Sequence, residues 1–294
     1  MEAYWSDGRG RYGTGEDYDY FYQFDEDEEH EIFTSADGLW TYSEVEQGIE
    51  LIRYNGREVH LRVPSVVDGR KVVSLDSTFD GFYELKSAEI PQGVVSLCGV
   101  FYGCESLETV KLPQGLERLE YAFHSCFSLK QIEVPDSVVD FTYAFTETPI
   151  ESFVFSEGTR FIENVFTNCQ CLKQVTVPGT VERMDEAFCD CESLERVELQ
   201  DGIQRLGDYA LFHCTSLKEL RIPGSVKEFG EKAVGMMEVR EYEGDENAPL
   251  RAFRIRGEQV VPGFRIIGEA GSEAERYARE KGIPFIVEKC PAKS

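Results

Sequence analysis

Apolar residues return along this chain with a period near 22. The block from Leu107, LETVKLPQGLERLEYAFHSCFS, aligns without gaps with the block from Leu172, LKQVTVPGTVERMDEAFCDCES. Leucine or isoleucine opens each unit, at Leu85, Leu107, Leu129, Ile150, Leu172, Leu194 and Leu217, in steps of 22, 22, 21, 22, 22 and 23. So short a unit cannot bury its own apolar face, and the period predicts a solenoid whose coils stack on their neighbours. Within the unit the first, fourth and sixth positions are apolar, as in Leu107, Val110 and Leu112. That spacing predicts a short strand whose alternate side chains face inward. Proline closes most of these strands (Pro64, Pro91, Pro113, Pro135, Pro178, Pro223), because it has no N–H for the ladder. A near-constant Phe follows (Phe101, Phe123, Phe145, Phe166, Phe188), usually three residues before a Cys.

The flanks differ. Residues 37–64 predict an N-terminal β cap, in which Asn55-Gly56, between IELIRY and EVHLRV, signals a two-residue hairpin. The repeats occupy 65–237, with a degenerate first coil lengthened by the insertion VVDGR. Residues 238–294 predict a small α/β C-terminal cap. Its helix starts at a Ser272/Glu275 capping box and stops at Gly282, and a strand, PFIV, follows. Residues 1–36 carry eleven acidic residues against Arg9 and Arg11, interleaved with aromatics such as Trp5, Tyr20 and Phe24. This composition predicts a solvated, disordered tail, with docking onto a partner or the solenoid itself as the competing reading.

Charge narrows the partners. The net charge of −25 argues against nucleic acid and anionic membranes, both of which reward clustered Lys and Arg, and admits a basic protein partner. No run of about 20 apolar residues occurs, and MEAYWSDGRGRYG lacks the apolar stretch of a secretory signal. With an odd count of nine cysteines, the expectation is a reducing, cytoplasmic protein. A secreted or cell-surface location is the alternative, had a signal peptide been removed.

Candidate chemistry is sparse. Cys104, Cys126, Cys169, Cys191 and Cys214 share one repeat position and predict a column of small buried thiols. A metal- or thiol-dependent sensor around Cys169, Cys171, Cys189 and Cys191 is the competing reading, although C-x-C lacks the spacer of common zinc sites. The histidines His30, His60, His124 and His213 are scattered, and surface or turn positions are expected for them. No phosphate loop, nucleophile elbow or zinc-protease motif occurs, so neither catalytic nor cofactor-binding residues are assigned.

Two further rows stand out. The second repeat position reads Lys86, Glu108, Lys130, Glu151, Lys173, Glu195, Lys218, a strict alternation of sign that predicts an ion-pair ladder between coils. The outward strand positions supply candidate partner-binding residues: Lys111, Gln131, Glu133, Val154, Gln174, Thr176, Arg196, Glu198 and Arg221. Aromatic residues elsewhere in the coils, among them Tyr102, Tyr121, Phe127, Tyr143 and Tyr209, compete with that strip as a binding site.

The pattern LxxVxLPxGVxxLxxxAFxxCxS over about residues 50–237 resembles the BspA-like, or Treponema-type, leucine-rich repeats. The segment GSEAERYAREKGIPF resembles the closing segment common in such proteins. Ser156, Gln200 and Thr148 depart from the pattern, in place of two prolines and one cysteine. The resemblance implies an α/β repeat solenoid with little helix, a right-handed superhelix with a parallel sheet on its concave face. It also implies protein–protein interaction or, for secreted members, adhesion to host surfaces. With no catalytic motif in the sequence, the expectation is a monomeric interaction module without catalysis.

Overall fold

Each 22-residue unit forms one coil of a strand-rich, right-handed superhelix. The computed structural model describes residues 31–242 and 251–288, with the backbone of two short strands, Tyr4–Ser6 and Tyr12–Gly13. Most of the acidic segment 1–36, and so the expectation of disorder, lies outside the described residues. Among the described residues no helix is long and apolar enough to cross a membrane.

Coils bond to one another along three sides. On the first, parallel strands run in register: His60–Arg62 beside Ser87–Glu89 beside Thr109–Lys111, then Ser152–Val154 beside Gln174–Val177 beside Arg196–Leu199. On the second, Ser96, Arg118, Asp140, Phe161 and Arg183 form a succession of single parallel bridges. On the third, each coil donates to the next, as in Phe101 N–H to Ala122 O and Phe188 N–H to Ala210 O, both 2.9 Å. Backbone polar groups are thus satisfied between coils and the interior is left to side chains.

The bends between sides need left-handed backbone. One column (Ser77, Gly99, Tyr121, Tyr143, Asn164, Glu186, Tyr209, Lys232) has φ between 44° and 57°. A second, four residues on and three in the last coil (Gly81, Gly103, Ser125, Glu147, Asn168, Asp190, His213, Gly235), has φ between 56° and 70°. Non-glycine residues take this conformation at a cost of about 1 kcal/mol or more each, so inter-coil bonding must hold them there.

The interior is a stack of rings. Phe79, Phe101, Phe123, Phe145, Phe166 and Phe188 follow one another at centroid spacings of 5.3, 5.3, 5.6, 5.3 and 6.2 Å, nearly parallel. Leu211 takes over the column after Phe188, donating its N–H to Ala233 O at 2.8 Å in the same pattern. Trp40 and Tyr54 close the other end, each edge-on to Phe79 at 6.3 and 6.0 Å.

The N-terminal sheet pairs differently from the hairpin read at Asn55-Gly56. Gly48–Tyr54 pairs antiparallel with Trp40–Val45, and His60–Arg62 joins the first coil. Asn55 is held instead by its side chain on Gly38 O and Thr41 Oγ1. Side-chain bonds and burial of Leu61 outcompete the local turn preference. The real two-residue hairpin lies in the insertion: Val66–Val67 pairs with Arg70 and Lys71 around Asp68-Gly69, both at positive φ.

At the far end Glu219–Arg221, Arg265–Gly268 and Phe285–Val287 form a last parallel sheet. The helix Glu273–Lys281 starts at Ser272, whose hydroxyl accepts from Glu275 N–H, and stops at Gly282 with φ 71°. A long hairpin, Met236–Tyr242 with Arg251–Val260, rises from the last bend, and Tyr4–Ser6 pairs antiparallel with Arg251–Phe253.

Candidate interaction surface

The outward strand positions lie together on the first side of the superhelix. Lys111 shares Glu89 with Arg62, at 3.0 and 3.1 Å. Arg221 pairs with Glu288 at 2.9 Å, and Glu219 with Arg265 at 2.5 Å. Gln131, Glu133, Gln174, Arg196 and Glu198 are exposed, and Thr176 is half-buried. Val154, 73% exposed, is the most open large apolar side chain among the described residues.

This face is not continuous. Among the described residues, Gln131–Glu133 pairs with neither Thr109–Lys111 nor Ser152–Val154. The interruption coincides with the one 21-residue unit and with a change of packing beneath it. Phe153 and Phe155, 4.7 Å apart, stand where the next two coils have Val175, Val177 and Val197, Leu199, and both crowd Phe141. Ile132 and Val134 of the adjoining coil are only half-buried, packed against the core. The larger rings hold the neighbouring strand away, and the gap opens between Lys111 and Val154.

The alternating row is mostly open. Among the described residues one pair closes, Lys173 with Glu151 at 2.9 Å. Lys218 turns instead to the carbonyls of Thr215 and Pro262. Lys86, Glu108, Lys130 and Glu195 are exposed. Ion pairs between coils form instead in rows the alternation did not mark, such as Arg160–Glu182 at 2.6 Å and Arg205–Asp185 at 3.0 Å.

The five cysteines stand in one buried column. Each thiol donates to the carbonyl of the Phe one coil back: Cys104 to Phe79, Cys126 to Phe101, Cys169 to Phe145, Cys191 to Phe166 and Cys214 to Phe188, at 3.0–3.2 Å. Thr148 turns back to Phe145 O in its own coil at 2.8 Å. Burial pushes the Cys104 and Cys169 thiols up to about 12 and those of Cys126 and Cys191 well above the usual range. Such thiols are poor nucleophiles and poor ligands, which weighs against a sensor built on this column. Cys171 is exposed.

His124 and His213 lie in the turn before the cysteine, as expected, but their rings are turned inward. His124 stacks on Tyr102 at 4.7 Å, its Nδ1 is buried without a partner, and burial lowers its pKa to about 4. His213, only 5% exposed, sits with its Nδ1 3.1 Å from Asp190 Oδ1. The same Oδ1 accepts from Arg240 Nη2 at 2.7 Å, while Arg240 Nε reaches Glu238 at 3.0 Å. Burial works to raise the Asp190 pKa, but His213 and Arg240 outweigh it and hold the carboxyl below its ordinary range. The cluster fastens the long hairpin across two coils, and linear spacing could not reveal it because Asp190 and Arg240 are 50 residues apart. The aromatic residues outside the strand face are also engaged: Tyr121 and Tyr143 stack at 4.5 Å, and Lys232 lies over Tyr209 at 5.1 Å.

Fold and surface together define a leucine-rich-repeat solenoid. The model of the BspA type leucine rich repeat region matches six copies over residues 75–186 and 141–247, and the chain belongs to that family. The fold is similar to the crystal structure of a leucine rich repeat protein of T. pallidum, with 25% identity, TM-score 0.53, and coverage of 67% of this chain and 86% of that one. It is also similar to the crystal structure of a leucine rich cell surface protein from Faecalibacterium prausnitzii A2-165, with 20% identity, TM-score 0.51, and coverage of 70% and 74%. No curated protein matches the sequence.

Proposed function

We propose that this chain is a non-catalytic, monomeric interaction module that holds a protein partner on its strand face, across the gap between Thr109–Lys111 and Ser152–Val154. The exposed Val154 beside the unpaired segment Gln131–Glu133 carries this reading. There an apolar anchor adjoins backbone groups not used in the ladder, and a partner's extended segment gains hydrogen bonds from the latter and burial from the former. Lys111, Gln174, Thr176, Arg196, Glu198 and Arg221 form the polar surround. The net charge of −25 favours a partner with a basic surface, reached by electrostatic steering. The odd count of nine cysteines in the sequence favours a reducing, cytoplasmic setting.

Affinity capture with the wild-type chain and with Val154→Glu tests the site. A partner retained by the first and lost by the second supports the strand face; equal capture by both moves the site elsewhere. Fractionation of the native cells tests location, and recovery at the cell surface would favour an adhesion role.

A further inference from the structure

We propose that Asp190, Glu192 and His213 form a binding site for a divalent transition-metal ion of the zinc type. One donor atom from each of the three lies within 4.8 Å of the others. Two atoms bound to one Zn2+ at 2.0–2.2 Å stand about 3–3.5 Å apart. His213 Nδ1 and Asp190 Oδ1 are separated by 3.1 Å, the spacing of two ligands on one ion. At that distance the two atoms are close but poorly aligned for a hydrogen bond, and Nδ1 is buried with no other partner among the described residues. An arriving ion displaces the proton from Nδ1 and takes its lone pair, leaving the ring proton on Nε2.

The donors are fixed before any ion arrives. Asp190 and His213 occupy the same left-handed bend in successive coils, with φ 56° and 58°. Their backbones are pinned by Asp190 N–H to Phe212 O at 3.0 Å and His213 N–H to Met236 O at 2.8 Å. The carbonyl of Glu192 accepts from Ser216 N–H at 3.1 Å, which holds the third ligand in place. Arg240, on the same carboxylate, serves as an outer-shell group that orients Asp190. One imidazole with two carboxylates suits Zn2+ and leaves one position for water or for a partner's side chain. No cysteine of the buried column takes part, so this site is independent of the strand face.

Isothermal titration of the full chain with zinc chloride, thiols kept reduced, tests the site against Glu192→Gln, His213→Gln and Cys171→Ser. The expected result is one saturable site, weakened roughly tenfold or more by each of the first two, since even outer-shell changes cost that much, and unchanged by Cys171→Ser. Glu192 is only half-buried, so its variant keeps the fold, and the melting temperature of the metal-free protein checks this. Absence of saturable binding overturns the proposal, as does binding retained in Glu192→Gln or lost in Cys171→Ser.

Discussion

The thiol of Cys191 donates to the carbonyl of Phe166 at 3.0 Å, joining one coil's bend to the aromatic stack of the coil before it. Cys191→Ala leaves that buried carbonyl without its side-chain donor and should cost about 1–3 kcal/mol, whereas Cys191→Ser keeps a donor and should cost less. Urea denaturation of the two variants measures the difference. Equal losses would show that the thiol acts by volume alone.

The ring stack concentrates stability. Phe123 is fully buried between Phe101 and Phe145. Phe123→Ala should cost about 3–5 kcal/mol, and Phe123→Leu distinctly less. A loss below about 1 kcal/mol in calorimetry for the alanine variant would mean that the coils close over the hole.

The open charge row separates two lysines that are equivalent in sequence. Lys173→Glu breaks an exposed pair and should cost at most about 1 kcal/mol. Lys130→Glu breaks no ion pair among the described residues and should leave the midpoint of unfolding in place. A larger effect at Lys130 than at Lys173 would restore the ladder through all seven coils.

His124 gives a pH dependence of definite sign. Its pKa in the folded chain is lowered to about 4 by burial, below the value of about 6.5 in an unfolded chain. Between these values the unfolded state binds the extra proton, so stability is complete above about pH 6.5 and falls as pH drops toward 4. The full difference is about 3 kcal/mol as an upper figure. His124→Gln should flatten that part of the stability–pH curve, and an unchanged slope would place the titration elsewhere.

The interrupted strand face should also be visible in exchange. Amide protons of Gln131–Val134 should exchange with solvent faster than those of Val175 and Val197, which lie inside a paired sheet. Similar protection in both places would close the gap.

Much of this architecture was legible because period-22 apolarity and the Phe and Cys columns repeat at fixed offsets, and stacking turns fixed offsets into contacts. What escaped the sequence depends on size or on distance. The bulk of Phe153 and Phe155 is apolar like the valines it replaces, so the pattern does not register the strand it displaces. The bends were hidden because Tyr, Glu, Asp and Lys occupy positions that Gly99, Gly103, Asn164 and Asn168 alone would have marked as left-handed. The Asp190–His213–Arg240 cluster joins a coil to a hairpin outside the repeat, beyond the reach of any periodic signal. The Asn55-Gly56 reading failed because a strong local turn signal met a stronger demand from the first coil.

The two left-handed columns carry a consequence for how such a chain changes. Their shape is enforced by bonds from adjacent coils, so one bend accepts glycine, serine, glutamate, asparagine, aspartate or histidine without altering the path of the backbone. Each bend is therefore a socket with a standard fitting, and side chains can be exchanged there one coil at a time. A lineage can add or delete a whole turn and rewrite its outer rim while the bore of stacked rings stays the same.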